Sequence, residues 1–369
     1  MKSLAPYYYF IFWVLCMFVT ANQFNVINSQ RGYGVLYHRD NFKPVIWLSI
    51  FTIVFFGFRP VHHIFGDTVV YDEIYHTLQT LGTFNSEGAT QPENDWLFYL
   101  FMAFCAPIMD IYYFFAIVMC LYVAMMFTGC RKLDFRHGAS IMLFCLGAFS
   151  FYGYAVNGIR NGVACSFVIL ALAGVCKGDR VWPIIMSFIA IGCHKSTALP
   201  LACMFFTFFI RAPKLMYFTW ISAIVLSLTF GEYIEMFLSM ISYDDRLSSE
   251  LNLDDVDGVI MEHRFRWDFL LYSSMPILLG VYILFKRKIY NNTYLILLGT
   301  YIYANAFWIL AIRAVFSNRI AYLSWFLYPI VLAYPLFNLP VFPQNHSQKV
   351  AWIFLAHFGF TTVMWMLGK

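Results

Sequence analysis

The chain has 369 residues, of which 61% are hydrophobic, 21% aromatic and only 12% charged. Apolar runs recur from Pro6 to Leu367, and no interval between them approaches the roughly 50 residues of a soluble domain, so the composition excludes a soluble multidomain protein. The formal net charge of +4 reflects basic residues that flank spans and set orientation, and no nucleic-acid partner is expected.

In chain order, spans are expected near residues 5–22, 44–58, 108–128, 139–155, 158–176 and 181–194, then 196–210, 214–231, 269–285, 289–310, 320–337 and 350–367. The fold class is therefore all-α, a polytopic integral membrane protein with about 12 transmembrane helices and a single catalytic domain over residues 1–369. The first run lacks a basic leader and a small-residue cleavage site, so it reads as a span rather than a signal peptide. Residues 95–106 (DWLFYLFMAFCA) are too short to cross alone and read as an interfacial or re-entrant helix ending near Pro107. The nine cysteines are scattered with no CxxC pair, and read as small buried hydrophobes rather than disulfides or metal ligands.

The basic loops Arg31/Arg39/Lys43, Arg131/Lys132/Arg136, Lys177/Arg180, Arg211/Lys214 and Lys286/Arg287/Lys288 form one alternating set, which the positive-inside preference makes cytoplasmic. Both termini then lie outside, as do the segments 58–94 and 232–268. Arg59, Arg160, Lys195, Arg264, Arg266, Arg313 and Arg319 fall on the outer side, against that preference. Outward-facing arginines among apolar helices suit a phosphate or pyrophosphate, because guanidinium is always charged and offers forked donors to anionic oxygens. The plainer alternative for each is snorkelling to headgroups or pairing with an acid.

Asn157-Gly158-Ile159-Arg160-Asn161-Gly162 opens a span, where free backbone N–H groups reinforce Arg160 toward an anion, and where the Gly158/Gly162 spacing also serves close packing. His194 ends a long apolar run and precedes Lys195; a neutral imidazole there suits a general base, and Lys195 suits the anion. The plainer alternative for His194 is an interhelical hydrogen bond. Asp67 and Glu93 are carboxylates that bind sugar hydroxyls or act as the alternative base, and Tyr71 and Trp96 are aromatic surfaces for sugar faces. Neither His62-His63 nor the Asp-rich 232–268 segment has the spacing of a metal site, so no metal or cofactor is expected.

On these residues the sequence resembles the EpsG-like group of Wzy-type polysaccharide polymerases. The resemblance rests on Arg59 before Gly66-Asp67-Thr68, Glu93 to Trp96, Asn157-Gly158-Ile159-Arg160, His194-Lys195-Ser196 and Asn318-Arg319-Ile320-Ala321-Tyr322. Members of the group often read Gly-Thr-Asp at the first of these motifs and Gln at the position of Asn161. The resemblance implies a metal-independent glycosyltransferase with a C-type helical fold, on the outer face of the bacterial cytoplasmic membrane. It would move a growing glycan from polyprenyl pyrophosphate onto the nonreducing-end hydroxyl of a fresh lipid-linked unit, for O-antigen or exopolysaccharide. A chain-length regulator protein is a further partner of such a system. Catalysis is then expected from Arg160 and His194, with Asp67 or Glu93 as alternative bases. Arg59, Asn157, Lys195, Arg313, Arg319, Tyr71, Trp96 and Tyr322 are expected to contact substrate. A lipid-linked glycan flippase, an O-antigen ligase and a membrane O-acyltransferase remain rival readings. A transporter usually carries internal repeats with matched broken helices, and no convincing repeat is visible here.

Overall fold

A computed structural model describes residues 4–29, 36, 41–82, 95–241, 265–314 and 317–366. All regular structure among the described residues is helical. They divide into two compact units, Met1–Ala198 with Ala333–Lys369, and Leu199–Leu332.

The first unit contains α1 (Leu4–Ser29), α2 (Phe42–Gly57), α3 (Thr68–Leu81), α4 (Trp96–Cys105), α5 (Ile111–Leu133), α6 (Gly138–Leu146), α7 (Phe149–Val156), α8 (Ile159–Lys177) and α9 (Val181–Cys193). Local sequence sets their ends. Asn41 caps α2 by accepting the Lys43 N–H, and Asp110 caps α5 by accepting the Tyr112 N–H. Gly178 closes α8 with a left-handed φ of +80°. Helices approach closely where a small residue allows it, as Gly129 of α5 does against Ile169 of α8.

α6 and α7 are bent by 71° at Gly147–Ala148. A break at membrane depth frees backbone carbonyls that need donors. The chain returns to this unit at Ala333, within α15 (Tyr328–Asn338), and continues into α16 (His346–Met366), which supplies them: His357 Nε2 donates to the Phe144 carbonyl and Thr361 Oγ1 to that of Gly147, both at 2.9 Å. At the C-terminal end of α5, Asp134 accepts from His137 Nδ1 and Asn338 Nδ2 at 2.9 Å and from the Arg136 N–H at 2.8 Å.

The second unit contains α10 (Ala198–Phe209), α11 (Pro213–Ile241), α12 (Trp267–Val281), α13 (Asn292–Leu310) and α14 (Ser317–Trp325). Its buried polar centre is Asn305, which accepts from Trp220 Nε1 at 2.9 Å and donates to Ser324 Oγ at 3.2 Å.

A helix stands at each expected span. Among the described residues seven are long and apolar enough to cross a membrane, or eight if the bent pair is one span. Others, including Phe42–Gly57 and Val181–Cys193, are apolar but shorter, so the expected twelve are not all of crossing length. The chain is thus an all-helical, multi-pass membrane protein. Segment 58–94 is not simply a loop: α3 lies within it, burying Thr68, Tyr71, Tyr75 and Leu78 at the three-to-four-residue spacing of one helix face. α3 is tied down by Tyr75 Oη donating to the Met109 carbonyl at 2.9 Å and Gln79 Nε2 donating to that of Ala106 at 3.0 Å. Residues 95–105 form α4 as a short helix with its cap, in keeping with a segment that does not cross.

Candidate active site

Asp95 is the residue on which the site is built. It stands at the N-cap of α4, the position where an aspartate ordinarily accepts an N–H of its own helix, yet its side chain makes no such bond. The carboxylate turns to other segments instead. Oδ2 accepts from Arg160 Nη1 at 2.6 Å, Oδ1 accepts the Lys195 N–H at 3.2 Å, and His194 Nδ1 lies 3.0 Å from both oxygens.

Helix ends bring these groups together. α9 stops at Cys193, and His194 takes an extended backbone conformation before the one-turn 3-10 helix Lys195–Thr197. That turn is closed by Thr197 Oγ1 donating to the His194 carbonyl at 2.7 Å, and it aims both the imidazole and the Lys195 N–H at Asp95. α9 can approach α4 because position 192 is glycine: a Cβ there would lie 2.9 Å from Leu97 Cβ. Arg160, in the first turn of α8, is steadied by two hydroxyls at 2.9 Å, Tyr71 Oη at Nε and Tyr99 Oη at Nη1. Gly162 serves packing, since a Cβ there would lie 2.9 Å from the Tyr154 carbonyl, and this leaves Arg160 to turn elsewhere.

A second set of bonds holds the loops beneath. Arg59 is buried, with Nη1 donating to the Phe56 carbonyl at 2.9 Å, Nη2 to the Val156 carbonyl at 3.2 Å and Nε to Thr68 Oγ1 at 3.3 Å. Its guanidinium also lies 4.5 Å from the centre of the Phe115 ring. Thr68 in turn donates to the Phe65 carbonyl, and Asn157 Oδ1 accepts the Asp67 N–H at 2.9 Å. Arg59, expected as a substrate contact, therefore has all three nitrogens engaged inside the protein and joins the 65–68 turn to the 156–160 turn. Burial lowers its guanidinium to about 10, so it stays charged at neutral pH.

Burial by itself would raise the Asp95 carboxyl. The hydrogen bond and charge of His194, the Arg160 charge and the Lys195 N–H outweigh it, and Asp95 titrates below the ordinary carboxylate value. Its side chain is only 5% exposed, that of Arg160 11% and that of His194 22%, so the imidazole is the most open member.

The remaining expected residues are placed as follows. Asp67 and Asn157 are exposed beside the cluster, and Trp96 is partly exposed with its ring tilted against Phe188. Tyr71 is buried. Glu93 lies outside the described residues. Arg313, Arg319 and Tyr322 belong to the second unit, where Arg319 is exposed and Tyr322 packs beside Trp325. Arg313 lies close to Gly231, and its buried Nε has no hydrogen-bond partner among the described residues. Sequence reasoning missed Asp95 and Tyr99. Among the described residues no group of three or more His, Cys, Asp or Glu side chains converges as a metal site.

Fold and cluster together define a class, a multi-pass helical membrane protein with a partly buried Arg–Asp–His constellation at the ends of its helices. The model of the EpsG family matches residues 44–368, most of the chain. The chain belongs to the EpsG family, the EpsG-like family of Wzy-type polymerases. No curated protein and no solved structure matches it.

Proposed function

We propose that the protein polymerises lipid-linked glycan repeat units, as a metal-independent C-type glycosyltransferase of the bacterial inner membrane working on its outer face. The observation that carries this reading is the single carboxylate of Asp95 holding Arg160 and His194 together in a chain of the polymerase family. Helices α2, α9, α10 and α16 then cross beside the seven long spans and the bent α6–α7 pair, giving the twelve spans and placing the Arg160 and His194 ends of α8 and α9 outward. The substrate is a polyprenyl-pyrophosphate-linked oligosaccharide serving O-antigen or exopolysaccharide synthesis, and a chain-length regulator is a natural partner.

In the proposed step, the acceptor sugar hydroxyl gives its proton to His194 Nε2, and its oxygen attacks the anomeric carbon of the donor glycan. The bond from that carbon to the lipid pyrophosphate breaks, and negative charge collects on the departing pyrophosphate. Arg160 Nη2, which has no hydrogen-bond partner among the described residues, is offered to that charge. Asp67 and Asn157, exposed beside the cluster, orient sugar hydroxyls. Arg313 and Arg319 keep the anion-binding role expected from the sequence, and both lie in the second unit. Arg59 is a structural tie rather than a phosphate ligand.

The test is polymerisation by purified protein from a synthetic lipid-pyrophosphate repeat unit in the presence of EDTA. A product ladder from the wild type, lost in Arg160→Ala and His194→Ala, is the expected result. Binding of the lipid without any ladder would favour the ligase or flippase reading.

A further inference from the structure

The three donors around Asp95 define the protonation of the imidazole. One carboxylate oxygen receives a guanidinium N–H and the other a backbone N–H, so the group is ionised and can only accept. The ring nitrogen facing it must then be the one that carries hydrogen. From this we propose that Asp95 is a positioning residue that fixes His194 in the tautomer protonated at Nδ1, leaving Nε2 as a bare lone pair turned away from the carboxylate.

The proposal rests on the reading of His194 as the base, and it supplies what that reading lacks. A free neutral imidazole divides its proton between two nitrogens and rotates about its side-chain bonds. Here, contact with both carboxylate oxygens at 3.0 Å holds the ring by one edge. Among the described residues Nε2 has no hydrogen-bond partner. The other charged or hydroxyl-bearing groups at the cluster include Arg160, Lys195, Tyr71 and Tyr99, with Thr197 on the His194 carbonyl, Ser196 beside it and Asp67 facing Tyr71. Of these, Arg160 and the Lys195 N–H bind Asp95 directly, while Tyr71 and Tyr99 bind Arg160. A merely structural Asp95 would cap α4, but its carboxylate leaves its own helix to hold two others.

The experiment uses full-length protein with 15N-labelled imidazoles in lipid nanodiscs, the His194 signals being assigned by their loss in His194→Gln. At neutral pH the wild type should show Nδ1 protonated and Nε2 unprotonated; protonation at Nε2 would overturn the proposal. In the polymerisation assay, Asp95→Asn should lower kcat by on the order of 10²–10⁴-fold, the range of a lost general base, with KM within about twofold because the substrate contacts remain. In a His194→Ala background the same substitution should have little further effect, and Asp95→Glu should regain part of the rate. A loss of equal size with and without His194 would make Asp95 structural and overturn the proposal. If Asp95→Asn fails to fold, the wild-type tautomer decides. If the wild type makes no polymer, the polymerase reading falls, while the tautomer still tests the Asp95–His194 pair.

Discussion

Gly66 and Asn157 meet without room for a side chain between them: a Cβ on Gly66 would overlap the Asn157 amide, and Gly66 itself has a φ of +63°. The same amide accepts the N–H of Asp67, so the turn before α3 and the turn before α8 are docked by contact and by hydrogen bond at one point.

Gly66→Ala should therefore disturb the site from outside it. The positive φ and the overlap act together, and such strain costs of order 1–3 kcal/mol. Thermal unfolding in detergent should show that loss, together with reduced polymerisation, since the displaced turn leads into Arg160. Unchanged stability and activity would show that the two turns move independently.

Arg59→Ala separates a tie from a ligand. Removing the side chain leaves the Phe56 and Val156 carbonyls and Thr68 Oγ1 without this donor in a buried setting. Each lost partner costs about 1–3 kcal/mol, so the variant should be poorly folded, and Arg59→Lys, lacking the fork, should restore only part of the loss. A variant with wild-type stability and a raised KM would instead make Arg59 a substrate contact.

The pH dependence of stability follows from Asp95. Its folded form titrates below the unfolded value of 3.8, so its contribution is complete above that value and is lost as the pH falls through the folded value. The stability difference between wild type and Asp95→Asn should be present at neutral pH and should shrink below about pH 4. Denaturant melts across that range measure it; a difference that grows on acidification would contradict the sign.

Arg313→Met keeps an unbranched side chain as far as the Nε position and removes the guanidinium, including a buried Nε that has no hydrogen-bond partner among the described residues. The folded protein should be no less stable, because no observed hydrogen bond of that nitrogen is lost. Affinity for the lipid pyrophosphate should fall about tenfold, equivalent to one charge-assisted contact of 1.4 kcal/mol. Loss of stability without loss of binding would assign Arg313 to packing.

The spans were legible because apolar length is a one-dimensional property, and a helix stands where each run was read. Arg160 and His194 were legible for a related reason, as ionisable groups at the ends of such runs. Asp95 was not, because an aspartate before an apolar run reads as a helix cap, and its partner His194 lies 99 residues away with no spacing to connect them. Arg59 stood out as a charge, but its partners include backbone carbonyls of Phe56 and Val156, which every residue possesses. Tyr99 was hidden by abundance in a chain that is 21% aromatic, and Tyr71, read as a surface for sugar, gave no sign of its hydrogen bond with Arg160. The bend between α6 and α7 carries only Gly147 as a sign, and the donors that make it tolerable come from the far end of the chain.

The span of 99 residues between Asp95 and His194 also has a consequence for biogenesis. At about 5–20 residues per second of synthesis, Asp95 emerges from the ribosome on the order of 5–20 s before the histidine that will bind it. For the first 65 of those residues, until α8 brings Arg160, its carboxylate has neither side-chain partner. The short α4 can wait at the water boundary, and its docking against α9 becomes one of the later steps in assembling the membrane-inserted unit.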